Sequence, residues 1–245
     1  MEDFSSSHLI EIQNSMRSKL IHDIQLDSCR YVAGADLTVE DDFMVGCFVV
    51  VDCADDYKVV YSKCTDFDVK MPYIPGLLCF REGPVVVSLY NEFAESRPDI
   101  KLDIILVDGC GEWHPRGFGL ACFVGLQTGV PTAGVSKTFL YVGSDHHGKS
   151  VQNDAQEALP NKGDYMVIEH TLEDGFNIRC AVMRTTDSVP FKPIFISCGH
   201  LCNMESSVRI VRQLCHFREP EPLRLADRIS REFVRTMKKT KPTNP

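Results

Sequence analysis

Ile104-Ile-Leu-Val-Asp108-Gly-Cys-Gly-Glu-Trp-His114-Pro-Arg-Gly-Phe-Gly119 joins four consecutive large apolar residues to an aspartate, then to a loop that holds four glycines, a proline and the single tryptophan of the chain. A short unbroken apolar run is what a strand buried on both faces of a parallel sheet requires, and Asp108 stands where that strand ends. Ligands of open α/β sheets gather beyond the carboxyl ends of the strands, which makes Asp108 a candidate site carboxylate; a turn aspartate before Gly109 is the competing reading. The glycines let backbone approach a ligand closely, and His114 and Arg116 are then placed to hold or polarise a phosphate. The alternative for the loop is a packed connector around a buried Trp113.

On the amino-terminal side, Leu9, Ile12, Met16 and Leu20 form one stripe at helical spacing, so a helix is expected over 7–26, with Ser5 to Ser7 as caps. Three extended segments follow at Tyr31–Val39, Phe43–Asp52 and Tyr57–Cys64, joined by the acidic turns Glu40-Asp41-Asp42 and Ala54-Asp55-Asp56, as in an antiparallel meander. The loop Pro72-Tyr73-Ile74-Pro75-Gly76 leads to a helix expected over Glu82–Ser96. On the carboxyl side the pattern predicts a helix at Gly119–Thr128 and strands at Thr132–Val135, Asp164–Ile168, Asn177–Met183 and Pro193–Ser197. Helices at Met204–Cys215 and Leu223–Met237 close it. A meander followed by β/α alternation is an α/β protein, a mixed β-sheet flanked by helices. One domain is expected over 1–237, with 238–245 a basic, disordered tail.

With 245 residues, 44% of them hydrophobic, the chain can bury a sizeable core as a single domain. No basic cluster followed by an apolar run opens it and no stretch is apolar enough to span a bilayer, so an intracellular protein of cytoplasm and nucleus, without a membrane partner, is expected. Eleven cysteines scattered without a CxxC pair read as reduced thiols packed as small hydrophobes. The formal net charge of −8 counts against nucleic-acid binding, which usually leaves a basic footprint. A site for divalent metals must itself be acidic, however, and the metals cancel that charge locally.

Three further carboxylates draw attention. Asp36 lies in Tyr31-Val-Ala-Gly-Ala-Asp36-Leu-Thr-Val39 among apolar or small neighbours, where an ionised group needs a partner unless strand alternation turns it to solvent. Glu82 stands at the expected start of a helix, a position that the helix dipole explains. Asp227 has Arg224 and Arg231 three and four residues away, the spacing of a solvated helix ion pair. Acidic oxygens converging on hard divalent ions would explain all four at once. Lys137, after Pro131-Thr-Ala-Gly-Val-Ser136, ends a short strand beside Asp108 and could stabilise a developing phosphorane. Cys110 with His114, and Cys198-Gly-His200-Leu-Cys202, have some character of zinc ligands, but their spacings match no usual unit. Asp145-His146-His147 reads as an exposed loop.

Gly34-Ala-Asp36, Pro72-Tyr-Ile-Pro-Gly76, Phe80-Arg-Glu82-Gly-Pro84, Asp108-Gly-x-Gly with His114-x-Arg-Gly-Phe-Gly119, Gly134-Val-Ser-Lys137 and Arg224-x-Ala-Asp227 together resemble the endonuclease V family, in order over roughly residues 8 to 235. The resemblance implies a ribonuclease H-like fold and a monomeric nuclease whose metals, magnesium or in its place manganese, sit on Asp36, Glu82, Asp108 and Asp227. His114 and Lys137 match residues that assist catalysis. Tyr73 matches the wedge that fills the gap left by a flipped base, a role suited to an aromatic ring between two prolines. Pro72, Ile74, Pro75, Gly76, Arg81, Gly109, Cys110, Gly111 and Arg116 fall in the blocks that meet nucleic acid and inosine. The variable position of Asp-Gly-x-Gly is Cys110 here, where relatives often carry histidine or asparagine.

The ending Cys215 to Glu232 is similar to animal members. That likeness implies cleavage of single-stranded inosine-containing RNA one phosphodiester beyond the inosine on its 3′ side, with deoxyinosine DNA as the alternative substrate. Two other classes compete: an inosine-binding module without catalysis, and a zinc-stabilised interaction protein.

Overall fold

The computed structural model describes residues 5–40, 43–143 and 147–240. Asp41 and Asp42 of the first acidic turn, Asp145 and His146 of the expected loop, and residues 241–245 of the expected tail lie outside the described residues. The elements run α1 (Ser6–Arg17), β1 (Tyr31–Val39), β2 (Phe43–Asp52), β3 (Lys58–Asp68), α2 (Leu78–Ser96), β4 (Ile104–Asp108), α3 (Leu120–Thr128) and β5 (Thr132–Ser136), then α4 (Gly148–Ala158), β6 (Tyr165–Thr171), β7 (Asn177–Met183), β8 (Ile194–His200), α5 (Met204–Leu214) and α6 (Glu221–Thr240).

The eight strands form one sheet in the order β3-β2-β1-β4-β5-β8-β7-β6. The meander β1–β2–β3 is antiparallel, β4 and β5 run parallel to β1, and β8, β7 and β6 complete an antiparallel flank. This is the mixed α/β architecture of the ribonuclease H-like class. Ile104 to Val107 are fully buried, as their unbroken apolar run requires.

Alternation along β1 separates two cores. Val32 faces a layer closed by α5 and α6, where Val208, Val211, Leu223 and Ala226 pack. Ala33 and Ala35 face α2 and α3 through Val86, Leu89 and Val124. Gly34 lies on the α6 side, where a Cβ would come within 2.3 Å of the Pro222 backbone. The missing side chain therefore lets the first turn of α6 lie directly on β1.

The expected helix over 7–26 stops at Arg17, and the residues beyond it form no regular element before β1. There Leu201 N donates to Ile21 O and Asn203 N to Ile24 O. Backbone hydrogen bonding to the segment that follows β8 thus overrides the helical stripe, and Ser5 caps α1 without a side-chain hydrogen bond. Helix α2 starts four residues before Glu82; Gly83-Pro84 resembles a helix start in sequence, yet Pro84 sits inside the helix. Helix α4 had no counterpart in the sequence reading, and α6 continues through Lys238, which pairs with Glu40 at 2.7 Å, three residues beyond the expected end at Met237.

Candidate active site

The parallel strands β1 and β4 and the end of β5 point their carboxyl ends to one rim of the sheet. Asp36 projects from β1 toward α6 and is 5% exposed, which excludes the solvent-facing alternative. Ser230 on α6 places its Oγ 3.1 Å from Asp36 Oδ2 and 3.0 Å from the Asp227 carbonyl. Burial pushes the Asp36 carboxyl up to about 7, and the charges of Asp108 and Asp227 add to the effect. Burial likewise pushes Glu82 up to about 7, against the pull of Arg81 and with further repulsion from Asp108 and Asp36. Asp36 on β1 is therefore within electrostatic reach of Asp108 on β4, Asp227 on α6 and Glu82 on α2, and Glu82 is also within reach of Asp108.

Lys137 follows β5 and bridges Asp108 at 3.1 Å and Glu219 at 3.0 Å. Burial works against its ammonium, but the two carboxylates outweigh burial and raise it above the ordinary lysine value. Asp227 pairs with Arg231 at 2.8 Å, as helix spacing suggests, whereas Arg224 turns to Glu221.

Loop 109–119 follows Asp108. A Cβ on Gly134 would stand 2.5 Å from Gly109 O and 2.6 Å from Gly111 N, so the loop can fold back over β5 only above a glycine. Beside it opens a cavity of about 340 Å³ lined by Tyr73, Pro75, Gly76, Gly109, Cys110, His114 and Arg116, with Tyr141 at its mouth. Tyr73 is 63% exposed, and the Arg81 guanidinium lies over its ring, 5.9 Å from the centroid. Burial pushes the Cys110 thiol up to about 12, with Asp108 adding to it, so Cys110 enters the cavity as a neutral thiol. His114 is buried, its Nδ1 accepts from Arg116 N at 3.1 Å, and burial followed by the Arg116 charge lowers it to about 3. The imidazole is neutral at pH 7.

Several expectations change in position or role. The Arg116 guanidinium is committed to Gln13 Oε1 and the Gly76 carbonyl, so it ties the 72–76 loop to the glycine loop instead of standing free for a phosphate. His114 belongs to the cavity. Pro72, Ile74, Gly111 and Arg81 do not line it: Gly111 N donates to Ser197 Oγ at 2.8 Å beneath the loop, and Arg81 borders a neighbouring cavity with Lys70 and Phe80. Trp113 is buried, with Nε1 donating to Leu140 O at 2.9 Å, which is the packed-connector reading of the loop.

Glu219, Ser230 and Gln13 were not anticipated. Gln13 carried a readable signal, a polar residue beside Ile12 on the stripe of α1; it is fully buried and donates to the carbonyls of Phe118 and Gly76. Ser230 lies three residues after Asp227 on the same helix face. Glu219 had no local signal.

The donor chemistry fits a hard divalent cation: Asp36 feels the charges of Asp108 and Asp227, Glu82 those of Asp108 and Asp36, and burial holds both above their ordinary range. Among the described residues no three His, Cys, Asp or Glu side chains already stand as a metal-holding group, and Lys137 holds Asp108. The same observation leaves the zinc reading without support: Cys202 Sγ lies 3.1 Å from Ser207 Oγ, His200 Nδ1 accepts from Ile21 N, and all eleven cysteines are free.

Fold and site define an α/β protein of the ribonuclease H-like class with acidic residues at one rim of the sheet beside a cavity of about 340 Å³. The Endonuclease V family model matches residues 13–228. Mouse Endonuclease V is 35% identical over 206 residues, covering 83% of this chain and 60% of the relative's own length. The crystal structure of human ENDOV superposes with a TM-score of 0.84 at 28% identity, covering 94% of this chain and 98% of the other. That of Ciona intestinalis Endonuclease V in complex with a 24mer DNA containing an inosine followed by a ribo-adenosine gives 0.86 at 26% identity, covering 96% and 100%. The chain belongs to the endonuclease V family.

Proposed function

We propose that this protein is a metal-dependent endonuclease that recognises inosine and hydrolyses the phosphodiester one nucleotide beyond it on the 3′ side, with single-stranded inosine-containing RNA preferred. The observation that carries the reading is the acidic rim formed by Asp36, Glu82, Asp108 and Asp227 next to a base-sized cavity edged by an exposed Tyr73. The Ciona relative bound to an inosine strand supports the base class.

Asp36, Glu82, Asp108 and Asp227 would hold divalent cations, magnesium or manganese, whose chemistry there is to acidify a water and to stabilise the leaving oxygen. Tyr73 stacks where the extracted base leaves a gap, while the cavity takes the base itself. The neutral imidazole of His114 and the Cys110 thiol meet the base as uncharged groups. Lys137 keeps a positive charge between Asp108 and Glu219, at the edge where the phosphate gains charge in the transition state.

The preference for RNA rests on the animal-like block from Cys215 to Glu232, with deoxyinosine DNA as the second reading. The protein is proposed to act as a monomer in cytoplasm and nucleus; no helix among the described residues is long and apolar enough to cross a membrane. Matched single-stranded RNA and DNA, each with one inosine or with adenosine in its place, incubated with magnesium or with chelator and sized on a gel, test the whole reading. Cutting that ignores inosine or survives chelation overturns it.

A further inference from the structure

Strand direction places more than the acidic group on the catalytic rim. Because β8 is antiparallel to β5, with Ser136 opposite Phe195, the start of β8 lies at the same end of the sheet as the carboxyl end of β5. Met183 at the end of β7 pairs with Ile194, and Tyr165 at the start of β6 pairs with Met183. Residues just after β7 and just before β6 therefore share that rim. Helix α5 returns from the far end of β8 and delivers Arg212 and His216 to it.

These residues meet around a cavity of about 250 Å³ lined by Lys162, Arg184, Arg212 and His216 together with Thr185. Lys162, Arg212 and His216 are exposed. None of the four forms an ion pair among the described residues. The neighbouring carboxylates are engaged elsewhere: Asp164 accepts from Asn161 N at 2.8 Å, and Glu219 holds Lys137. Arg184 donates to the Leu159 carbonyl at 2.9 Å and to the Thr186 carbonyl at 3.3 Å and stacks over Phe191, so its guanidinium is held in place at the edge of the cavity with part of its donor set already used. The Arg212 guanidinium lies against Gly163, where a Cβ would come within 2.9 Å of its Nε.

Three permanent cations and a histidine, unpaired on a protein of net charge −8, are a local inversion of the overall field. The patch also connects to the catalytic site. Arg218 donates to the Lys137 carbonyl at 2.9 Å and to the Pro193 carbonyl at 3.1 Å, while its own carbonyl accepts from Thr185 Oγ1 at 2.8 Å.

We propose that Lys162, Arg184, Arg212 and His216 form a phosphate-binding track for the backbone of the nucleic-acid strand, outside the acidic site and several nucleotides from the cut bond. The proposal deepens the nuclease reading and rests on it. It also accounts for how an acidic protein grips a polyanion: one stretch of the rim carries a basic footprint that the summed charge hides. Such a track contacts phosphates only, so it is indifferent to base identity.

The test compares the full-length protein with the Lys162→Ala/Arg212→Ala variant, whose melting temperature checks the fold. Anisotropy titrations in chelator, across a series of salt concentrations, use a long single strand and a short one spanning only the inosine and the scissile bond. Each is made also with adenosine in place of inosine. The expected result for the long strand, with either base, is weaker binding and a log K against log salt slope shallower by about 0.7 for each of the two phosphate contacts removed. Binding of the short strand and its cutting rate at saturation stay unchanged.

An unchanged slope for the long strand overturns the track. So does an equal loss for the short strand, which would place these residues at the catalytic site. A third arm adds inorganic phosphate: if it raises the melting temperature of the wild type but not of the variant, while strand binding is the same for both, the site serves a free anion and the nucleic-acid assignment is wrong. Because the slope is also read on the adenosine strand, failure of inosine recognition is distinguishable from failure of the track.

Discussion

Gly34→Ala changes one hydrogen to a methyl group at the point where α6 crosses β1. The new Cβ would stand 2.3 Å from the Pro222 carbonyl carbon, 2.5 Å from its oxygen and 2.6 Å from Leu223 N. All three are backbone atoms, so no side chain can swing aside. The first turn of α6 must retreat by roughly 1 Å to restore ordinary contact, at an overpacking cost of about 1–3 kcal/mol. For a chain of 245 residues that cost lowers the melting temperature by about 2–12 °C. Asp227 and Ser230 ride on the same helix, and Ser230 touches Asp36, so the retreat opens the acidic group. A misplacement of about 1 Å costs on the order of a hundredfold in rate. The assay is inosine-strand cleavage under saturating substrate and metal, with manganese affinity measured alongside. Gly129→Ala is the control: its φ of +67° makes alanine strained by about 1–2 kcal/mol, with nothing within 4 Å and no contact to the site. If Gly34→Ala melts as expected yet cuts at the wild-type rate, the seat of α6 does not govern the site and the reasoning is refuted.

Asp36→Ala and Asp108→Ala are expected to abolish cleavage while strand binding persists, because each removes one of four carboxylates available to the metals; full activity in excess chelator contradicts this. Tyr73→Ala should weaken inosine-dependent cutting by about 1–3 kcal/mol, more than it weakens binding of the adenosine strand. Subsaturating rates equal to wild type would remove the wedge role. His114 is held neutral down to about 3, below its ordinary value, so the unfolded chain binds a proton there first and stability falls as pH drops from about 6.5 toward 3. Each pH unit in that window costs up to about 1.4 kcal/mol, and His114→Gln should flatten this limb in chemical denaturation; an unchanged limb places the acid sensitivity elsewhere. A DNA strand carrying a single ribose, moved along the positions around the inosine, should recover the RNA rate at one position near the cut, since the 2′-hydroxyl is the handle that separates the polymers. No gain at any position would favour the deoxyinosine reading.

Much of the architecture was legible because local patterns carry it. The short apolar run Ile104 to Val107 read as a buried strand, and the β-branched segments of the meander announced β1 and β2 with the bounds the structure has. Asp36 and Asp108 stood out because carboxylates among apolar neighbours, or at the end of such a strand, need a reason to be there. The order of motifs along the chain carried the family. Long-range pairing was not legible. The stripe from Leu9 to Leu20 reads as helix throughout, yet the chain after Arg17 leaves the helix to hydrogen-bond the segment just after β8, about 180 residues later. Arg116 reads as a phosphate ligand until Gln13 and Gly76 claim its guanidinium. Glu219 beside Lys137, and the convergence of Lys162, Arg184, Arg212 and His216, depend on which strand ends share a rim, a property of sheet order that no local window contains. Sequence by itself determined the strands, the carboxylate candidates and the family, because burial, alternation and ordered motifs are written in residue type and spacing. Only the tertiary structure decided which carboxylates repel, which cations are already paired and which cations gather without an acidic partner, because electrostatic partnership depends on distance in space.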